Sequence, residues 1–232
     1  MVTESDSQQL GERNFSRCPY AEKIAIKAAI VAKKPDGLSH VNAAALALIG
    51  LTALIISAIE DTLKLQPGET ILIHGGAGGG ASFAIQLAKH IGARVIKTAS
   101  AANHEYVRGL GADEIIDYNA KDFTQVVTGC DAVFDTVGGD VAQRSFAVVK
   151  PGGRAAFIAS GPQAPKPNRS DVTSLRPPVG RARRHLERIA HLFQAGAIRP
   201  PEIKLYRLCE AADAHRLSES RHFRGKLVFQ VA

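Results

Sequence analysis

The run Ile71-Leu72-Ile73-His74-Gly75-Gly76-Ala77-Gly78-Gly79-Gly80-Ala81-Ser82 constrains this chain more than any other segment. An apolar strand leads straight into glycines. Ala84, Leu87, Ala88 and Ile91 then recur at i, i+3, i+4 and i+7, the spacing of a helix that buries one face. A strand, a glycine turn and a helix N-terminus in succession make an anion site. The first helical N–H groups lack intrahelical partners, and the helix dipole favours negative charge there. Within the run, Gly76-x-Gly78-x-x-Ala81 fits G-x-G-x-x-G/A. The first glycine permits the turn, the second admits a pyrophosphate to the backbone, and the small third residue lets helix and strand approach. The pattern predicts a nucleotide site of the dinucleotide kind. It is not a P-loop, because Ala81-Ser82 follows Gly80 where Lys-Ser/Thr would be required.

The segments downstream carry the same rhythm. Short apolar strands are expected at 94–98, 114–117, 131–135 and 154–159, with a last one near 171–175. Helical or loop segments separate them. This βαβ alternation predicts an α/β fold, a doubly wound parallel Rossmann sheet of about six strands with helices on both faces. A helix over 183–194 is expected to bury Leu186, Ile189, Ala190 and Phe193. The long apolar run 43–59 contains Gly50, Thr52 and Ser57 and is short for a membrane span, so it reads as two buried helices broken near Gly50, the first capped by Ser39.

Composition narrows the function classes. Cys18, Cys130 and Cys209 form neither a disulfide framework nor a CxxC metal spacing. With no charged-then-apolar leader at the N-terminus, a cytoplasmic protein is expected. Much of the net charge of +7 comes from Lys166, Arg169, Arg176, Arg181, Arg183, Arg184 and Arg188. Aromatic residues are not interleaved there, so bases would find no stacking platform; the cluster reads as a solvated face, and neither nucleic acid nor membrane is an expected partner.

The region after the second strand bears on the cofactor. In NAD-type folds an acid there takes the ribose 2′-OH. Here the stretch is Ile96-Lys97-Thr98-Ala99-Ser100-Ala101-Ala102-Asn103-His104, and no carboxylate occurs before Glu105. The missing acid favours a 2′-phosphate, hence NADP(H) over NAD(H). Strand alternation leaves the direction of Lys97 open, and a solvated lysine is the expectation.

Further motifs follow in order: Gly50-Leu-Thr-Ala, Leu65-Gln-Pro-Gly-Glu-Thr-Ile-Leu-Ile-His, the glycine loop, Gly111-Ala-Asp-Glu, Ile116-Asp-Tyr, Phe134-Asp-Thr-Val-Gly-Gly, Lys150-Pro-Gly-Gly-Arg and Gly225-Lys-Leu-Val. From about Tyr20 onward the chain resembles the medium-chain dehydrogenase/reductases, specifically the zinc-independent quinone oxidoreductase branch that includes zeta-crystallin. The resemblance implies an NADPH-dependent oxidoreductase that passes hydride to a quinone or an α,β-unsaturated carbonyl, and a homodimer. It divides the chain into a tail and GroES-like remnant over 1–49, an NADP-binding domain over 50–197, and a returning C-terminal segment over 198–232.

The resemblance also assigns residues. It places the backbone N–H groups of Gly79 and Gly80 at the pyrophosphate, within the cofactor-binding motif Gly76, Gly78 and Ala81, with Ser100 and Tyr118 by the adenosine 2′-phosphate and Asn103 at the position of the family's 2′-phosphate lysine. Thr52 falls beside the nicotinamide as the one catalytic candidate, and Thr136, Val137, Ile158 and Ser160 border the cleft. No zinc is implied, because the cysteines and histidines of zinc-dependent relatives have no counterparts. Relatives carry a bulky aliphatic residue at Gly80 and a phosphate-binding lysine at Asn103. They also carry a whole GroES-like lobe, of which only Tyr20-Ala-Glu-Lys-Ile-Ala-Ile-Lys-Ala-Ala-Ile-Val-Ala-Lys resembles the last strands. The segments 203–208 and 226–231 are therefore expected to pair with 25–32. A catalytically impaired NADPH-binding protein, structural or redox-sensing, is the alternative reading.

Overall fold

A computed structural model describes residues 26–47, 55–75, 77–178, 182–220 and 223–231. Six strands form one parallel sheet: β1 (Thr70–His74), β2 (Arg94–Thr98), β3 (Glu114–Ile116), β4 (Cys130–Asp135), β5 (Val149–Phe157) and β6 (Thr173–Leu175), in the order β3-β2-β1-β4-β5-β6. The order runs outward from β1 in both directions, which opens a crevice beyond the carboxyl ends of β1 and β4. Both faces are covered. Ile71, Ile73, Val95 and Phe134 pack on one side with Ile55, Ile59 and Ala84, while Leu72, Ile96, Val133 and Phe157 pack on the other with Phe123 and Phe146. Burial on both faces explains why β1 and β4 read as nearly continuous apolar runs.

Among the described residues the α-helices are α1 (His40–Ala47), α2 (Gly79–Ile91), α3 (His104–Gly109), α4 (Phe123–Val126), α5 (Gly139–Arg144), α6 (Arg183–Gln194) and α7 (Ala211–Ser220), and Ser57–Thr62 forms a π-helix. The Ser39 hydroxyl accepts the Asn42 N–H at 3.1 Å, so Ser39 caps α1 as its sequence position suggests. Helix α2 stops where Gly92 turns left-handed at φ +95°, letting its N–H and that of Ala93 close on the Lys89 and Ala88 carbonyls. The break expected near Gly50 lies outside the described residues.

Several boundaries differ from expectation. Strand β3 ends at Ile116, one residue early, because the Asp117 side chain accepts the Asn119 N–H at 3.0 Å and turns the chain. Strand β5 begins at Val149 and ends at Phe157. Its register with β4 shifts between Cys130 and Ala132, so Val149 pairs before the Lys150-Pro-Gly-Gly segment bulges and Arg154 resumes the ladder. On α6 the fully buried residues are His185, Ile189 and Leu192, while Leu186, Ala190 and Phe193 are half-buried. Ile189, Leu186 and Phe193 of the expected face pack on the core, and His185 and Leu192 extend that face to one side.

Among the described residues the C-terminal segments do not pair with 26–32. Residues 28–30 form a 3₁₀ turn, and β7 (Ile203–Arg207) pairs in parallel with β8 (Lys226–Gln230) in the register Ile203↔Lys226. Parallel pairing needs a crossover, which α7 provides. Just before β8, Gly225 bridges to Gly78, and its N–H donates to the Ala77 carbonyl at 3.3 Å. The C-terminal unit is thereby fastened to the glycine loop.

Candidate functional site

The site begins where β1 ends. Gly75 sits at φ +118°, and a Cβ there would lie 1.8 Å from Thr136 Oγ1. The Thr136 hydroxyl donates to the His74 carbonyl at 2.9 Å, tying the ends of β1 and β4 together. Gly78 is the extended residue before α2, and a Cβ on it would meet nothing within 4 Å, so space is open over the helix N-terminus. At Gly79 a Cβ would come 2.5 Å from Lys226 Cε, because the lysine's alkyl stem lies across that residue. At Gly80 a Cβ would come 3.3 Å from Ile55 Cδ1, so the Ile55 side chain takes up the room that a bulky residue would fill. The Ser82 hydroxyl donates to the Gly78 carbonyl at 3.0 Å and meets the Tyr106 hydroxyl at 3.2 Å, so it serves the turn.

The loops after β2, β3, β4 and β5 converge on the same side. They enclose a cleft of about 1480 Å³ that brings together Gly78, Gly79, Gly80, Ala81, Ser100, Asn103, Tyr118, Thr136, Val137 and Ile158. Ser160 lies off the cleft lining, and its hydroxyl is buried with no hydrogen-bond partner. Thr52 and Gly76 lie outside the described residues. Among the described residues no group of three or more His, Cys, Asp or Glu side chains could hold a metal ion.

Beneath the loops lies a buried polar layer. Asp135 is fully buried and accepts the Val137 N–H at 3.0 Å and the Gly138 N–H at 2.9 Å, shaping the turn that leaves Val137 exposed at the cleft. Burial pushes the Asp135 carboxyl above its ordinary range, against the pull of those N–H groups and of Lys97. His74 Nδ1 lies 3.0 Å from the Thr98 hydroxyl, its Nε2 has no partner, and its ring meets Phe123 edge-on. Burial first, then the charges of Lys97 and Arg144, push His74 down to about 3, so it is a neutral imidazole at pH 7.

Lys97 overturns its expected role as a solvated residue. It is fully buried, donates to the Ile73 carbonyl at 3.2 Å, and is pushed down by burial to about 7 while Asp135 pulls the other way. Strand β2 is covered on both faces, so neither choice of alternation would have exposed it.

The charged residues that the C-terminal unit adds to the cleft lining, which the local sequence does not announce, are Glu202, Arg224 and Lys226. Arg224 Nε donates to Asn103 Oδ1 at 3.1 Å, and Asn103 Nδ2 donates to Ser100 Oγ at 3.0 Å. Lys226 is half-buried and no carboxylate pairs with it among the described residues; burial holds its ammonium below the usual lysine range. The Gly225-Lys226 motif was a visible signal, but nothing local to it indicates that it faces residues 77–80.

A crevice at the carboxyl ends of parallel strands, floored by a glycine turn and a helix N-terminus, suits a phosphorylated ligand. Comparison with known proteins agrees with that geometry. A model of the zinc-binding dehydrogenase family matches residues 110–229. The chain is 31% identical to a 2-haloacrylate reductase from a Burkholderia species, covering 94% of this chain and 70% of the reductase. A quinone oxidoreductase structure from Coxiella burnetii superposes with a TM-score of 0.75 at 34% identity, covering 87% of this chain and 64% of that one. A mycobacterial protein complexed with NADPH superposes with a TM-score of 0.79 at 29% identity, covering 91% of this chain and 71% of that one. The chain also matches segments of polyketide synthases, of whose length it spans 10% or less. With the sheet order, the glycine turn and these matches in agreement, the chain belongs to the zinc-binding dehydrogenase family of the medium-chain dehydrogenase/reductases.

Proposed function

We propose that this chain binds NADP(H) in the cleft and transfers hydride to a quinone or an α,β-unsaturated carbonyl without zinc. The observation that carries the reading is the open space over Gly78 at the start of α2, with the Lys226 stem lying across Gly79. A diphosphate seated there would meet unpaired helical N–H groups and one ammonium group. The relatives support the acceptor class, since they include a 2-haloacrylate reductase and a quinone oxidoreductase, and one mycobacterial neighbour is complexed with NADPH.

When bound, the nicotinamide supplies the hydride; the protein supplies position and electrostatics. Thr136 spends its proton on the His74 carbonyl, so toward the cleft its oxygen can only accept, which suits a carboxamide N–H. Val137 and Ile158 offer apolar surface at the ends of β4 and β5 to bracket a planar ring. Neutral His74 adds no charge beneath the cleft floor. Thr52 is assigned to the nicotinamide by family resemblance. Quinones suit a site in which catalysis does not depend on a protein acid, because their reduced oxygens can take protons from water.

A homodimer through the outer edge of β6 is part of this proposal, as is the division of the chain near residues 49 and 197. The test has two stages. Cofactor fluorescence is first titrated with NADPH and NADH, and saturable binding with NADPH preferred is expected. Oxidation of NADPH by a simple quinone is then followed. Binding without turnover would point to the impaired, cofactor-binding alternative, and no binding at all would end both readings.

A further inference from the structure

We infer that Arg224, reaching in from the C-terminal unit, is the residue through which this chain distinguishes NADP(H) from NAD(H). The inference rests on the cofactor reading above and deepens it. The wall that an adenosine ribose would meet is made of Ser100 and the 3₁₀ turn Ala101–Asn103, directly after β2. That wall carries no carboxylate to claim a 2′-OH, and the position assigned to a phosphate-binding lysine holds neutral Asn103. Left to itself, this stretch has no cation for a 2′-phosphate. Of the nearby cations, Lys97 is buried within the sheet, His104 Nε2 faces the Ala99 carbonyl at 3.2 Å, Arg108 does not line the cleft, and Lys121 lines it on the β3 side, beyond Tyr118.

Arg224 fills the gap from 121 residues away. Its Nε donates to Asn103 Oδ1 at 3.1 Å and its Nη2 to the Ala102 carbonyl at 3.1 Å, while its guanidinium lies 5.2 Å over the Tyr106 ring. Tyr106 is itself held through its hydroxyl to Ser82, so the platform under the guanidinium is fixed. Asn103 passes the connection to Ser100, giving a continuous line of hydroxyl, amide and guanidinium along the cleft rim. A phosphate dianion could draw donors from all three. The guanidinium's present acceptors are two neutral oxygens and the half-exposed Glu202 carboxylate at 3.3 Å, and a phosphate is a stronger acceptor than the neutral pair. Glu202 is the opposing group here, since its charge competes for Arg224 and repels a phosphate.

The test measures dissociation constants of NADPH and NADH by cofactor fluorescence, for the wild type and for Arg224→Gln and Glu202→Gln. The readout is the ratio of the two constants in each protein, with 2′,5′-ADP competition as a second measure. The wild type should prefer NADPH by about tenfold or more, and Arg224→Gln should lower that preference by roughly ten- to a hundredfold, the scale of lost charge-assisted hydrogen bonds. Glu202→Gln should raise it, a shift in the opposite direction that misfolding would not produce. If Arg224→Gln keeps the wild-type ratio, the inference is overturned while the cofactor reading stands. If the wild type binds both cofactors equally, the inference falls in the same way. If it binds neither, both fall.

Discussion

The Thr136 hydroxyl occupies the place that a side chain on Gly75 would need, 1.8 Å from its would-be Cβ, and fastens β4 to the end of β1 through the His74 carbonyl. Gly75 also has a backbone angle that L side chains rarely adopt. Gly75→Ala is therefore expected to lower unfolding free energy by about 3 kcal/mol or more, seen as a lower urea midpoint. Combining it with Thr136→Ala should relieve the collision and leave mainly the backbone penalty, so the two changes should be non-additive. Simple additivity would show that the collision is not what limits residue 75.

Lys97 makes stability depend on pH. Its folded pKa of about 7 lies below the ordinary 10.5, so between those values the unfolded chain binds the extra proton. Stability should then rise with pH across that window, and the burial cost should be fully felt below about pH 7. Lys97→Met should flatten the rise and stabilise the protein at pH 6 by up to about 4 kcal/mol. Urea titrations of both proteins at pH 6 and 9 decide it, and the same slope in both would remove Lys97 as the cause.

Lys226 should act on a part of the cofactor common to NADPH and NADH. Methionine keeps the alkyl stem over Gly79 and removes the charge, so Lys226→Met should weaken both cofactors by about tenfold and reduce the salt dependence of binding. Unchanged affinity for both would mean that the lysine only packs there. A change confined to NADPH would instead place it at the 2′-phosphate, in competition with Arg224.

The parts of the site that could be read in advance are those made by neighbours along the chain. Gly78 caps α2 and Gly79 to Ala81 open it directly after β1, Ser100 and Asn103 follow β2, Tyr118 follows β3, and Thr136 and Val137 follow β4. In a parallel sheet every such loop emerges at the same edge, so naming the strands already gathers the loops. Ser160 marks the limit of that reasoning. It follows β5 like Ile158, yet a turn of a few residues is enough to take it off the cleft.

The amino-acid order alone therefore determined the family, the parallel sheet and the cleft's position, because periodicity, glycine turns and motif spacing are local properties. Folding decided the rest. Whether Lys97 met water depended on helices covering both faces of β2, and period-two alternation carries no inside or outside when both faces are buried. That β7 and β8 pair with each other depended on the α7 crossover, and that Arg224 meets Asn103 and Lys226 meets Gly79 depended on contacts across more than 120 residues. No local pattern encodes such contacts, since they exist only once the core has brought distant backbone together.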